Sequence, residues 1–122
     1  MQLATHIMFQ DGQTAEAARF YASLTDDAEL LSEVDQGGST LARVRLAGHE
    51  LVIFDSPVRH QFEMTPSVSL FLVVDEPAQV DELVAKLSEG GTVLMPVDGY
   101  DFAERFGWCV DRFGMSWQVS TT

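Results

Sequence analysis

The sequence predicts an α+β fold made from two copies of one unit, each running strand, helix, strand, strand, strand. Three observations carry that prediction. The same order of hydrophobic patterns occurs twice within 122 residues. Eight segments read as strands and only two as helices. A stretch holding two prolines, Pro57 to Pro66, separates the copies. The expected organisation is therefore a single domain over residues 1–122, with a first module at 1–56, a linker at 57–66 and a second module at 67–122.

In the first copy, Leu3 to Phe9 is an apolar run suited to a buried strand, followed by a turn at Asp11-Gly12. Thr14 is placed to cap a short helix whose inward face is Ala17, Phe20, Tyr21 and Leu24, at helical spacing. Ala28 to Val34, Thr40 to Ala47 and Glu50 to Ser56 then read as strands, separated by Gly37-Gly38 and Gly48. In the second copy Ser67 to Val74 is the opening strand. Asp75 and Pro77 begin a helix with an apolar stripe of Val80, Leu83, Val84 and Leu87, and Gly90-Gly91 ends it. Thr92 to Val97, Phe106 to Val110 and Ser116 to Ser120 supply the last strands. Pro96 to Arg105 reads as a long polar connection able to act as a mobile flap. A ferredoxin-like sandwich, the competing α+β arrangement, needs two strands fewer in each copy.

Composition excludes several classes of function. Nineteen acids against seven bases give a net charge of −12, which repels phosphate backbones and anionic lipid, so neither nucleic acid nor a membrane is an expected partner. No apolar run is long enough to span a bilayer. No charged start precedes an apolar run, so no secretory leader is expected. Cys109 is the only cysteine, which rules out an internal disulfide and suits a reducing cytoplasm. A chain of this size buries roughly two thirds of its unfolded surface, enough for a core without staples.

Two stretches carry a family likeness. Ala15-Glu16-Ala17-Ala18-Arg19-Phe20-Tyr21 and Asp111-Arg112-Phe113-Gly114-Met115-Ser116-Trp117-Gln118-Val119, with His6-Ile7-Met8-Phe9 at the start, resemble the PhnB-like branch of the vicinal-oxygen-chelate superfamily. That superfamily includes glyoxalase I, extradiol dioxygenases and bleomycin-resistance proteins. The branch is also described as 3-demethylubiquinone-9 3-methyltransferase-like. The resemblance implies two βαβββ modules whose curved mixed sheets enclose a cup, with helices outside. It further implies a homodimer. The sequence has no strand-to-helix glycine fingerprint for a dinucleotide or adenosyl cofactor, and no cofactor is expected.

Strand alternation selects the residues facing such a cup. On the fifth strand the set from Val68 to Val74 goes under the helices, leaving Ser69, Phe71 and Val73 inward. On the last strand Ser116 and Gln118 share the inward face, while Trp117 goes to the core. On the first strand His6 and Met8 face inward. With Trp108 as an aromatic wall, His6, Met8, Ser69, Phe71, Trp108, Ser116 and Gln118 form the candidate ligand-binding set, suited to a small apolar or aromatic molecule. No catalytic residue is assigned.

Metal-dependent members of the superfamily take ligands from the first, fourth, fifth and eighth strands. Here the resemblance puts His6, a residue within Leu51-Val52-Ile53, Ser69 and Gln118 at those positions. One histidine, a serine and a neutral amide make a poor site for a divalent transition metal, so none is expected. His6 with Glu50 is the donor pair for the alternative, a metal-dependent lyase, isomerase or dioxygenase. A drug-sequestering resistance protein is a second alternative. Cys109 is expected to be buried and unreactive, Asp111-Arg112 to form a local ion pair, and Arg43 and Arg45 to share a solvated strand face. Phe54, Phe62, Met64, Met95 and Phe102 complete apolar walls or dimer contacts.

Overall fold

A computed structural model describes all residues, Met1–Thr122. In chain order the elements are β1 (Thr5–Phe9), α1 (Thr14–Ala22), β2 (Glu29–Gln36), β3 (Ser39–Leu46), β4 (His49–Asp55), β5 (Leu70–Val74), α2 (Pro77–Ser88), β6 (Thr92–Tyr100), β7 (Ala103–Val110) and β8 (Ser116–Thr121). The chain divides into two compact units, Met1–Phe62 and Glu63–Thr122. Each holds one four-stranded mixed sheet and one helix, and neither sheet closes into a barrel.

In the first unit the strand order is β1-β4-β3-β2. β1 runs parallel to β4, with Ile7 opposite Ile53 and His6 opposite Val52; β4 and β3, then β3 and β2, are antiparallel. Alternation sends Ile7, Phe9, Ala42, Val44, Leu51 and Ile53 to one face, where all are buried. α1 lies against that face, over β3, β2 and β4, through the buried residues Ala17, Ala18 and Tyr21. Removing each large side chain from water stabilises the unit by about 1.5–3 kcal/mol. Phe20, predicted to point inward, is only half-buried, because the helix presents Ala17 and Ala18 together and so approaches the sheet closely.

The start of α1 also differs from expectation. Gln13 is the N-cap and makes no side-chain capping bond. The backbone N–H of Thr14 instead donates to Oδ1 of Asp55, at 3.0 Å, from the end of β4. That carboxylate serves an orphan donor at the helix's positive end, a long-range cap that local spacing does not reveal. The Thr14 hydroxyl is buried without a hydrogen-bond partner.

In the second unit the order is β5-β8-β7-β6, with the same parallel and antiparallel senses. α2 begins with a reciprocal capping box between Glu76 and Gln79, and Pro77 occupies the first turn. Its buried stripe is Val80, Leu83, Val84 and Leu87, as predicted. It packs on β7 and β8, where Cys109, Trp117 and Val119 are fully buried. Val68, predicted to lie under the helix, is instead 69% exposed, since β5 begins only at Leu70.

The segment Pro96 to Arg105 is not a loop. β6 and β7 continue through it as a hairpin that turns at Asp101-Phe102. Three register shifts along β6, after Val93, Met95 and Asp98, scramble the polar–apolar alternation and hide the strand in the sequence. Asp111 also serves partners that its place beside Arg112 does not suggest. Buried at the end of β7, its Oδ1 accepts from the backbone N–H groups of Phe113, at 2.9 Å, and Met115, at 3.0 Å. Its Oδ2 accepts from Trp117 Nε1 at 2.8 Å. One carboxylate thus folds the β7–β8 turn and ties it to the core tryptophan. Arg112 lies over the Phe113 ring, 4.5 Å from its centroid. No helix is long and apolar enough to cross a membrane.

Candidate functional site

The face of the second sheet opposite α2 carries a connected polar row. Register sets it: Phe71 stands opposite Gln118, Trp108 opposite Gln118 on the other side, and Val110 opposite Ser116. Ser69, Phe71, Trp108, Ser116 and Gln118 therefore share one face, as alternation predicted for all of them but Trp108. Trp108 Nε1 donates to Ser116 Oγ at 2.8 Å. Ser116 Oγ and Ser69 Oγ are 2.6 Å apart, and Gln118 Nε2 donates to Ser69 Oγ at 3.3 Å. Phe71 and Val73 flank the row, 57% and 54% exposed. Such apolar surface beside a few fixed polar groups can hold and orient a small molecule.

Several aromatic residues fill out this sheet. Met95 stands opposite Trp108 and is half-buried. At the tip of the β6–β7 hairpin Phe102 stacks on Tyr100, with centroids 5.4 Å apart, and meets Phe106 edge-on at 4.9 Å. The sequence places Tyr100 in a polar connection and Phe106 at a strand start, and neither reading marks them as partners of Phe102. Tyr100 also donates its hydroxyl to the Pro96 carbonyl at 2.7 Å.

The first sheet presents its own open face. His6 and Met8 lie there, exposed and half-buried respectively, with Val52 and Phe54 on β4 and Arg43 and Arg45 on β3. Both arginines are in ion pairs: Arg43 Nη1 with Glu50 Oε1 at 2.8 Å, and Arg45 with Glu29. Gln2 Nε2 donates to the other Glu50 oxygen at 2.6 Å. Outside the sheet Phe62 stacks on the His60 ring at 4.7 Å, and Met64 is half-buried.

The hydrogen bond from Arg43, then that from Gln2, holds the Glu50 carboxyl below its ordinary value of 4.5. A depressed carboxyl contributes stability that is present above its unfolded pKa and is lost as pH falls through the lowered folded value. In Arg43→Gln the titration midpoint of Glu50, followed by carboxyl NMR shifts, should rise toward the ordinary value. An unmoved midpoint would contradict the assigned cause.

His6 and Glu50 share a face, since Glu50 is one pleat from Val52, which stands opposite His6. They do not fit a resident metal. No three histidine, cysteine or carboxylate side chains converge to hold an ion, and both Glu50 oxygens already accept hydrogen bonds. Cys109 is buried, and burial, with the Asp111 charge second, pushes its thiol up to about 11. It is unsuited to nucleophilic work near neutral pH.

A four-stranded mixed sheet with one helix, present twice, matches the glyoxalase/bleomycin-resistance/dioxygenase fold. A glyoxylase/bleomycin resistance protein/dioxygenase domain from Frankia sp. matches it with a TM-score of 0.71 at 14% identity, over 97% of this chain and 94% of that one. Within that class the chain belongs to the family described as 3-demethylubiquinone-9 3-methyltransferase, which matches residues 1–120. It is similar to a putative 3-demethylubiquinone-9 3-methyltransferase, PhnB protein, from Bacillus cereus, with 34% identity, complete coverage of both chains and a TM-score of 0.93. A protein from Pseudomonas aeruginosa is 28% identical over 99% of this chain and 97% of that one, with a TM-score of 0.82. No curated protein matches the chain.

Proposed function

We propose that this protein binds a small apolar or aromatic molecule on the open face of its second sheet, without a catalytic metal. The observation that supports this reading best is the hydrogen-bonded row Trp108–Ser116–Ser69–Gln118 beside exposed Phe71 and Val73. Trp108 and Phe71 are the proposed apolar contacts, and Ser69, Ser116 and Gln118 orient the ligand. His6 and Met8 are proposed as ligand contacts on the open face of the first sheet. The protein is further proposed to be a cytoplasmic homodimer, in keeping with its family and its single buried thiol. Methyl transfer is not part of the proposal. The β1–α1 turn has Gly12 alone and offers no glycine-rich cradle for an adenosyl cofactor.

A thermal-shift screen of small aromatic and aliphatic compounds, followed by equilibrium binding of the hits, tests the reading. Trp108→Ala should weaken binding about tenfold or more, equivalent to ~1.4 kcal/mol. Gln118→Ala and His6→Ala should each weaken it by a smaller factor. If all three variants bind every hit as the parent does, the assigned site is wrong. Elemental analysis of protein purified without chelator separates the enzyme alternative: one retained ion per chain, lost in His6→Ala, would favour a metal-dependent lyase or isomerase.

A further inference from the structure

We infer that the second sheet's open face recognises an uncharged ligand through a carbonyl oxygen, and that Ser69 donates the hydrogen bond to it. This deepens the proposed binding function and rests on it. The starting point is Trp108, whose indole N–H can only donate. It therefore fixes Ser116 Oγ as an acceptor at 2.8 Å.

Ser116 is 2% exposed, so its own proton must find a protein partner or be buried unsatisfied, which is costly. The one acceptor within reach is Ser69 Oγ, at 2.6 Å. Ser69 in turn accepts from Ser116 and from Gln118 Nε2. Its two lone pairs are then used, and its proton is left over. Unlike Ser116, Ser69 is half-exposed and can send that proton outward.

The row is thus polarised from Trp108 to Ser69 and ends in a donor. Gln118 Nε2, 3.3 Å from the same oxygen, has a second proton. Two donors this close suit one oxygen with two lone pairs, as in a ketone, aldehyde, amide or quinone. Turning the Gln118 amide end for end would give the Ser69 proton to Oε1 and leave NH₂ outward, so an acceptor would still meet a donor.

Charge narrows the class further. The second unit has three bases, and none stands on this face. Lys86 is in the last turn of α2, Arg105 is bonded to Asp81 of α2 at 2.7 Å, and Arg112 lies over Phe113. Asp98, opposite Phe106, adds a negative charge at the sheet's margin. An anionic ligand would find no counter-charge on this face and a protein of net charge −12 around it.

Acetophenone, ethylbenzene and benzoate, of similar size, test the inference by ligand-observed NMR titration. The parent protein should bind acetophenone about tenfold more tightly than ethylbenzene, with benzoate weakest. Ser69→Ala should bring acetophenone down to the ethylbenzene level while leaving ethylbenzene unchanged. Ser69→Thr, which keeps the hydroxyl, should restore the preference. Trp108→Phe keeps an aromatic wall but frees Ser116 to accept from Ser69, and should narrow the gap. Equal binding of ketone and hydrocarbon to the parent, or a preference that survives Ser69→Ala, overturns the inference while leaving the binding function intact. If none of the three probes binds, nor any compound in the wider screen, the binding function fails and the inference falls with it.

Discussion

Asp111→Ala should lower the unfolding free energy by about 3–5 kcal/mol, because it strands three donors at once. The Phe113 and Met115 N–H groups and the Trp117 indole all end on the one carboxylate, and Asp111, Phe113, Met115 and Trp117 are all buried. Each buried donor left without a partner costs about 1–3 kcal/mol, and a charged acceptor lies at the stronger end. Water entering the vacated space would soften the total. Asp111→Asn keeps the shape and one acceptor oxygen, and should lose roughly half as much. Urea denaturation monitored by far-UV circular dichroism measures both. A loss below about 1 kcal/mol for the alanine variant would mean that the turn is held by other contacts. If the alanine variant does not accumulate folded, the asparagine variant still reports the size of the effect.

Gly91→Ala is expected to rival it, for a reason that depends on space rather than hydrogen bonding. A Cβ at this position would sit 2.0 Å from the Val110 carbonyl oxygen and 2.9 Å from the Asp111 carbonyl carbon, both backbone atoms. No rotamer change relieves that overlap. The connection from α2 would have to separate from the end of β7, disturbing the Thr92–Val110 pair and the turn that Asp111 organises. Overpacking usually costs about 1–3 kcal/mol, and a clash with fixed backbone belongs at or above the top of that range. Gly107→Ala is the natural comparison. Its Cβ would meet Val84 Cγ2 and Val97 Cγ2, each at 2.9 Å. Those are side-chain methyls, which can yield, so the loss should be smaller, about 1–2 kcal/mol. Thermal melts showing Gly91→Ala as stable as Gly107→Ala would refute the close approach.

Most of the fold could be read from the sequence because both ways of burying residues leave a period in it. The α2 stripe Val80, Leu83, Val84 and Leu87 and the alternation of β5 and β8 are such periods, and they placed Ser69, Phe71, Ser116 and Gln118 on a common face. The readings that failed lacked a local signature. β6 carries three register shifts, so its alternation breaks and Pro96 to Tyr100 looks like a polar connection. Asp55 caps α1 from 41 residues away, and nothing near Thr14 marks it. The turn-holding role of Asp111 is equally hidden, because its partners there are mostly backbone N–H groups, which every residue has. For the site, alternation gave the shared face. It could not give the bonds from Trp108 through Ser116 to Ser69, which depend on rotamers and on side-chain reach across two strands.

The repetition of one sheet pattern has a further consequence. Arg43 stands opposite Val52, with Glu50 two residues before it; Trp108 stands opposite Gln118, with Ser116 two residues before it. The same lattice point therefore carries a cross-strand ion pair in one copy and a cross-strand indole–hydroxyl bond in the other. Dissolved electrolyte acts on these two designs unequally. At 0.15 M salt the screening length is about 8 Å, so exposed charge pairs weaken while bonds between neutral groups barely respond. Ionic strength is thus a lever that reaches the first of these two contacts and passes over the second. Added salt should therefore loosen the Arg43–Glu50 crossing and leave the Trp108–Ser116 crossing as it was.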